Sequence, residues 1–315
     1  MTPTRRAALA LPLLATPALA QGQPPIRLIV GFPPGGGIDL LTRVMGEALA
    51  ARLGRVVVVE NRTGAGGNIA ADAVAKAAAD GHTLGAVPAG PLVINRHLYR
   101  AMPFDPLADF TPISRFAAIP VVFLASPRAG ITDMAGLREA LRRGPLPCGT
   151  PGAGTTQHLA TALLMGALGT ECTLVHYRGT GPALPDLLNG TVALYTDTVV
   201  TGLPPARDGR ARALAIASPR RLSFAPDIPT VAETVPGFAA ETWLALMAPR
   251  GLPEAQAAVL EAHMQAIARD PAIIARLREL GAEAVGSTRA ELAEAIRAQD
   301  AMWGPVVRAT GATAD

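Results

Sequence analysis

The sequence predicts an α/β protein of two lobes facing one another, and three observations carry that prediction. The first is the stretch Ile26–Leu53, which reads IRLIV, GFPPGGGID and LLTRVMGEALAARL. A short apolar run, a Pro/Gly turn and an apolar pattern of helical period spell strand, tight loop and helix. The second is the return of the same order at Leu146–Leu168, as LPCGT, PGAGTT and QHLATALLMGAL. The third is a set of apolar runs, Ala117–Ala125, Arg212–Ala217 and Thr242–Pro249, placed to carry the chain between lobes and back.

The strand–glycine–helix units point to anions. A helix start leaves backbone N–H groups without intrahelical partners and about half a positive charge, which favours carboxylate or phosphate. Gly35, Gly36 and Gly37 permit positive φ and a close approach to the backbone, and Asp39 can cap the first turn. Two further strand-to-glycine loops lie in Val56–Val74 and Thr173–Leu188, so each half carries two. Loops at the carboxyl ends of strands face the ligand crevice of open α/β sheets, so the two lobes would aim helix N-termini at one cleft.

Taken in order, the chain opens with Arg5-Arg6, an apolar run broken by Pro12 and Pro17, and Ala18-Leu19-Ala20 before Gln21. That is the pattern of a secretory signal over residues 1–20, too short to span a membrane, with export by the Sec or the twin-arginine route. Removing it takes 28 basic against 25 acidic residues to 26 against 25, so basicity gives no reason to expect nucleic acid. Aromatics at 4% also argue against base stacking. Val56–Val59, a continuous β-branched run, predicts a strand buried on both faces. A helix from about Asn68 to Ala79 and a strand His82–Val87 follow. The second lobe is expected from about Ser126 to Ser218, with helices around Asp133–Arg142, up to Leu168 and near Pro182–Leu188, strands Thr173–Tyr177 and Val192–Thr196, and Asp197 just past the last strand. Amphipathic helices Pro253–Arg269, Pro271–Leu280 and Ala290–Arg308 should pack on the first lobe. The expected division is residues 21–122 and 220–315 for lobe 1 and 123–219 for lobe 2.

Chemistry other than binding finds little footing. Leu40 stands where a dinucleotide fingerprint based on Gly35 and Gly37 needs a small residue, and Glu60 at the end of the second strand is the remaining feature of that reading. No P-loop is present, Lys76 is the only lysine, and no G-x-S-x-G marks a nucleophile elbow. His82, His97, His158, His176 and His263 show no metal-ligand spacing, and neither cofactor nor metal is expected. Cys148 and Cys172 fall near the ends of neighbouring strands, where disulfide geometry is rarely good, so two thiols are the expected state.

Six segments together resemble the substrate-binding proteins of tripartite tricarboxylate transporters, the Bug family of periplasmic receptors. They are IRLIVGFPPGGGIDLLTR, VVVVENRTGAGGNIAADAVAKAAADGHTL, PFDPLADFTPIS, GTPGAGTTQHLA, YRGTGPALPDLLNG and APDIPTVAET, in the family's order and spacing. The resemblance implies a type II periplasmic binding protein fold, two α/β lobes with a ligand cleft and a two-strand hinge, and ligands that carry carboxylates. It implies a carboxylate seat of Phe32, Gly36, Gly37 and Asp39 on one side and Ala153, Gly154, Thr155, Thr156 and His158 on the other, with Asp197 and Trp243 near the cleft. It further implies a monomeric, periplasmic receptor for a small organic acid, partnered by membrane subunits of a tripartite transporter; a receptor that signals rather than transports is the alternative. Relatives commonly carry Thr or Ser where this chain has Ile38, and its loop Val87–Asn95 lacks the hydroxyls often seen there. Those departures predict a less polar acid than citrate, aromatic or long aliphatic.

Overall fold

In the computed structural model, which describes residues 24–314, apolar runs and helical patterns fold into two α/β halves that share one long strand. The expected signal segment and the start at Gln21 lie outside the described residues. The first half is built from β1 (Ile26–Val30), α1 (Gly37–Leu53), β2 (Val57–Asn61), α2 (Asn68–Ala75) and β3 (Thr83–Pro88), followed by a π-turn at Gly90–Ile94. The shared strand β4 (Phe110–Ala125) leads to α3 (Met134–Arg142), β5 (Leu146–Thr150), α4 (Thr156–Leu168), β6 (Cys172–His176), α5 (Thr180–Asn189), β7 (Leu194–Thr198), α6 (Val199–Arg207) and β8 (Arg212–Ile216). The chain then closes with β9 (Glu241–Pro249), α7 (Glu254–Ala268), α8 (Pro271–Glu279), β10 (Glu283–Ala284) and α9 (Arg289–Thr310).

Strands follow the order β2-β1-β3-β9-β4-β7-β5-β6, with β8 and β10 also on β4. β1 pairs in parallel with β2 and β3, and β5 pairs in parallel with β6 and β7. β4 is antiparallel to β9 from Phe110 to Pro120, then antiparallel to β7 and β8 from Val121 onward. One strand thus belongs to both sheets, with the changeover at Pro120–Val121. On the return, Val231, Phe238 and Ala240 pack with Phe123 in a second-half core, and Ala240 N–H donates to the Ala217 carbonyl just before β9 begins.

Several local expectations are corrected. β2 is an edge strand with β1 as its one neighbour, and Val56 and Val58 are 65% and 47% exposed, so its β-branched run does not mark double burial. Asp197 lies within β7 rather than beyond it. α6 went unforeseen because Gly202, Pro204 and Pro205 speak against a helix. Packing overrides them: Val199 and Leu203 join the core beside Val122 and Leu124, and a Cβ at Gly202 would stand 2.6 Å from Val122 Cγ1, so the glycine lets α6 close on β4. The tail helices α7 and α8 pack by the first sheet, whereas α9 also touches α4, with Trp303 and Leu159 in one cluster. Cys148 and Cys172 are free thiols, two register positions apart on β5 and β6. No helix among the described residues is long and apolar enough to cross a membrane.

Candidate functional site

The carboxyl ends of β1, β3, β5 and β7 bring their loops together at one cavity lined from both halves. The space between its lining atoms is about 470 Å³, open solvent at the mouth included. Phe32, Pro33, Gly36, Gly37 and Ile38 line it from the β1–α1 loop, and Thr155, Thr156 and Gln157 from the start of α4. Gly179 and Thr180 at the start of α5, Asp197 and Thr198 on β7, and Thr242 on β9 complete the polar wall.

Two helices present their first turns here. Gly36 is the N-cap of α1 and makes no side-chain cap bond, so Asp39 does not cap that helix. Asp39 is fully buried behind the loop and is not among the lining residues. It accepts from Gly35 N–H at 2.9 Å, from Arg43 Nε at 2.9 Å and Nη2 at 3.0 Å, and from Asn61 Nδ2 at 2.7 Å. Burial pushes its carboxyl up, but the bonds from Arg43, Asn61 and Gly35 outweigh it and hold it below the ordinary value. Asn61 Nδ2 also donates to the Phe32 carbonyl at 2.8 Å, so the Asp39–Asn61 pair shapes the loop that faces the cavity.

On the opposite side the paired threonines divide their work. Thr155 is the N-cap of α4: its hydroxyl accepts from His158 N–H at 3.2 Å and donates to the Gly152 carbonyl at 2.8 Å. Thr156 Oγ1 is buried, lines the cavity and has no hydrogen-bond partner. A buried hydroxyl without a partner costs about 1–3 kcal/mol, so this group and the amides around it are poised for an acceptor from outside the chain.

Ala153, Gly154 and His158 stand outside this cavity. Ala153 lines an outer vestibule with Tyr99, His176, Tyr177 and Arg178, which shares Phe32, Pro33, Gly66, Pro151 and Gly179 with the inner chamber. Gly154 N–H donates to His158 Nδ1 at 3.3 Å, which assigns the His158 proton to Nε2. Burial, with His176 4.5 Å away ring to ring, pushes His158 down to about 4, so the ring is a neutral prop beneath the loop.

Asp197 is buried and accepts from Thr201 Oγ1 at 2.8 Å, from its neighbour Thr198 N–H at 2.7 Å and from Thr180 Oγ1 at 3.1 Å. Burial raises it to about 7 despite those donors. Trp243 is placed in the core, not in the cleft. Along β9, Leu244, Leu246 and Ala248 face one cluster and Trp243, Ala245 and Met247 the other, as strand alternation requires. The Trp243 indole N–H donates to Gln299 Oε1 at 2.8 Å, while Thr242, one residue earlier, lines the cavity.

Gln157, Thr180, Thr198 and Thr242 were not foreseen. Thr180 sits in the glycine loop YRGTG and Gln157 follows the flagged Thr156, so their neighbourhoods carried a signal; Thr198 and Thr242 had none. Glu60, the one dinucleotide feature left, is tied to Arg27 at 2.8 Å and Arg62 at 2.7 Å. Among the described residues no group of three His, Cys, Asp or Glu side chains could hold a metal.

Over most of its length the chain is similar to known proteins in sequence and in fold. BugT of Bordetella pertussis is 36% identical over 305 residues, covering 95% of this chain and 94% of its own. Among solved structures, R. palustris Rpa4515 with adipate has a TM-score of 0.89 at 34% identity, covering 92% of this chain and 98% of its own. MatC (Rpa3494) from Rhodopseudomonas palustris with bound malate has a TM-score of 0.85 at 32% identity, covering 90% and 99%. The model of the tripartite tricarboxylate transporter family receptor matches residues 41–312, and with that match the chain belongs to this family of receptors, the one that includes the Bug proteins.

Proposed function

We propose that the chain is an exported receptor that captures a small organic acid between its two halves and passes it to the membrane subunits of a tripartite transporter. The observation that carries the reading is the buried, unpartnered Thr156 hydroxyl at the start of α4, in a cavity that α1 meets with its own N-terminus. Helix-start amides and one hydroxyl hold a carboxylate by charge-assisted hydrogen bonds without a full positive charge. Adipate and malate in the neighbouring structures are both carboxylates, which supports the same ligand class here. Ligand that touches both halves stabilises their approach by its differential affinity for the closed state, with β4 and the segment into β9 as the hinge. The secretory pattern of residues 1–20 supports delivery to the periplasm.

The test is a thermal-shift and calorimetric panel of mono-, di- and tricarboxylates, aromatic acids and dinucleotides on residues 21–315. At about 100 times its dissociation constant a true ligand adds roughly 2.7 kcal/mol. Thr156→Val is expected to abolish the rise for carboxylates; a rise that survives this change, or a response confined to dinucleotides, refutes the reading.

A further inference from the structure

Beyond the carboxylate seat, the inner chamber holds two more polar side chains with no task in the protein. Gln157 is 6% exposed and Thr242 is 3% exposed, and both line the cavity. Among the described residues neither the Gln157 amide nor the Thr242 hydroxyl has a hydrogen-bond partner. They come from different elements, the first turn of α4 and the start of β9, and those elements meet where Leu159 and Trp243 share one apolar cluster. Their polar atoms are not sealed into the protein as the Thr156 hydroxyl is but open onto the chamber, where a partner from outside the chain can reach both.

Charge narrows what that partner is. Among the described residues the one ionisable side chain lining the chamber is Asp197, an acid, and no Lys, Arg or His lines it. A ligand's second ionised carboxylate would meet no cation and one buried acid. The lobe-1 wall of Phe32, Ile38 and Pro88 offers it no hydrogen-bonding side chain either. A neutral group that both donates and accepts, by contrast, matches an amide and a hydroxyl.

We propose that Gln157 and Thr242 form a second seat that selects carboxylates bearing a neutral hydrogen-bonding group, a hydroxyl or an amide, a few atoms from the carboxylate. The proposal rests on the carboxylate reading above and adds the specificity of the same chamber. Selectivity arises as a difference: an acid lacking the group leaves the amide and hydroxyl unpaired, and one with a charge there lacks compensation.

Four acids of one chain length read the seat: butanoate, 4-hydroxybutanoate, succinamate and succinate, titrated by calorimetry into residues 21–315. Wild type is expected to bind 4-hydroxybutanoate or succinamate at least about tenfold more tightly than butanoate, the ratio that one satisfied buried polar group supplies. Gln157→Met combined with Thr242→Val should bring that ratio below about threefold while butanoate affinity stays within about threefold. Gln157→Asn, which keeps an amide one methylene back, should retain part of the preference, so a folded single variant reads the seat even if the double variant melts early. A preference unchanged in the double variant, or no preference in wild type, overturns the second seat alone, provided Thr156→Val still abolishes butanoate binding. If Thr156→Val leaves butanoate binding intact, or none of the four acids binds, the carboxylate reading falls and takes the second seat with it.

Discussion

Gly90→Ala tests whether the two halves must close to hold ligand. Gly90 follows β3 in the first half, and a Cβ there would stand 2.6 Å from the Gly154 carbonyl oxygen of the second half. The Gly90 backbone lies outside the left-handed region, so alanine brings no local strain. Carbon and oxygen need roughly 3.3 Å, so the methyl forces the loops apart by about 0.7 Å or compresses them at a cost of about 1–3 kcal/mol. That cost falls on the closed arrangement alone, because opening separates Gly90 from Gly154. The dissociation constant for a bound acid should therefore rise about 5- to 150-fold, and the melting temperature of the unliganded protein should stay within about 1 °C. Calorimetric titration reads the first quantity and scanning calorimetry the second, with small-angle scattering showing a larger radius of gyration in the presence of ligand. Unchanged affinity, or a loss of intrinsic stability as large as the loss of binding, would show that the Gly90–Gly154 contact is ordinary packing and not the closing contact.

The two threonines at the start of α4 should separate in experiment. Thr155→Ala removes an N-cap and should cost about 1 kcal/mol in urea unfolding, whereas Thr156→Val should leave stability unchanged or higher, since it deletes an unpaired hydroxyl, and lose carboxylate binding. Acid affinity should rise as pH falls from 8 to 6, because Asp197 takes its proton near 7 and stops repelling the ligand, and Asp197→Asn should flatten that dependence in calorimetric titrations. Stability has its own signature. Asp197 is raised from 3.8 to about 7, so its penalty on the fold is full above 7 and disappears below about 4; His158 is lowered from 6.5 to about 4, so its support is full above 6.5 and lost as pH falls toward 4. The two slopes oppose each other, and Asp197→Asn removes only the first, so stability of the variant minus wild type should climb by about 1.4 kcal/mol per pH unit between pH 4 and 7. A flat difference would place Asp197 at an ordinary carboxylate value.

What the sequence discloses is governed by how local the physics is. The β1–α1 and β5–α4 units were legible because strand, glycine loop and helix start are each written in a few adjacent residues, and so Gly36, Gly37 and Thr156 could be named. Asp39 was legible as important but not in its role: a carboxylate in a first turn serves equally as a helix cap or as an acceptor for Gly35, Arg43 and Asn61, and only tertiary packing chooses. Trp243 shows the limit of period two. In TWLALMAP both faces are apolar because β9 is buried between two cores, so alternation cannot say which face meets the cavity, and the answer was one residue away at Thr242. β2 fails for the converse reason, since a β-branched run marks strand preference and not burial. Gln157 was passed over because an amide beside two threonines reads as ordinary helix surface until α4 is seen packed against β9.

On the proposed reading the chamber holds an anion with no cation among its lining residues, and its charge balance follows from that. The first turns of α1 and α4 each contribute about half a positive charge, enough to offset one carboxylate. An ionised Asp197 would cancel that offset, and complete burial outweighs its three donors, Thr180, Thr201 and Thr198, and raises it to about 7. Ligand charge and Asp197 charge therefore oppose one another, and a bound monoanion favours a proton on Asp197. The same balance bars a second ionised carboxylate from the inner chamber and leaves the vestibule, where Arg178 is exposed, as the place for it. An extended dianion would have to reach past Phe32, Pro33 and Gly179, which line both spaces, whereas a short acid with a hydroxyl or amide would need only the inner chamber, with Gln157 and Thr242 as its proposed partners. On that reading chain length and charge of the ligand are read by separate compartments, and the inner one lies where two strand–glycine–helix units bring their helix starts together.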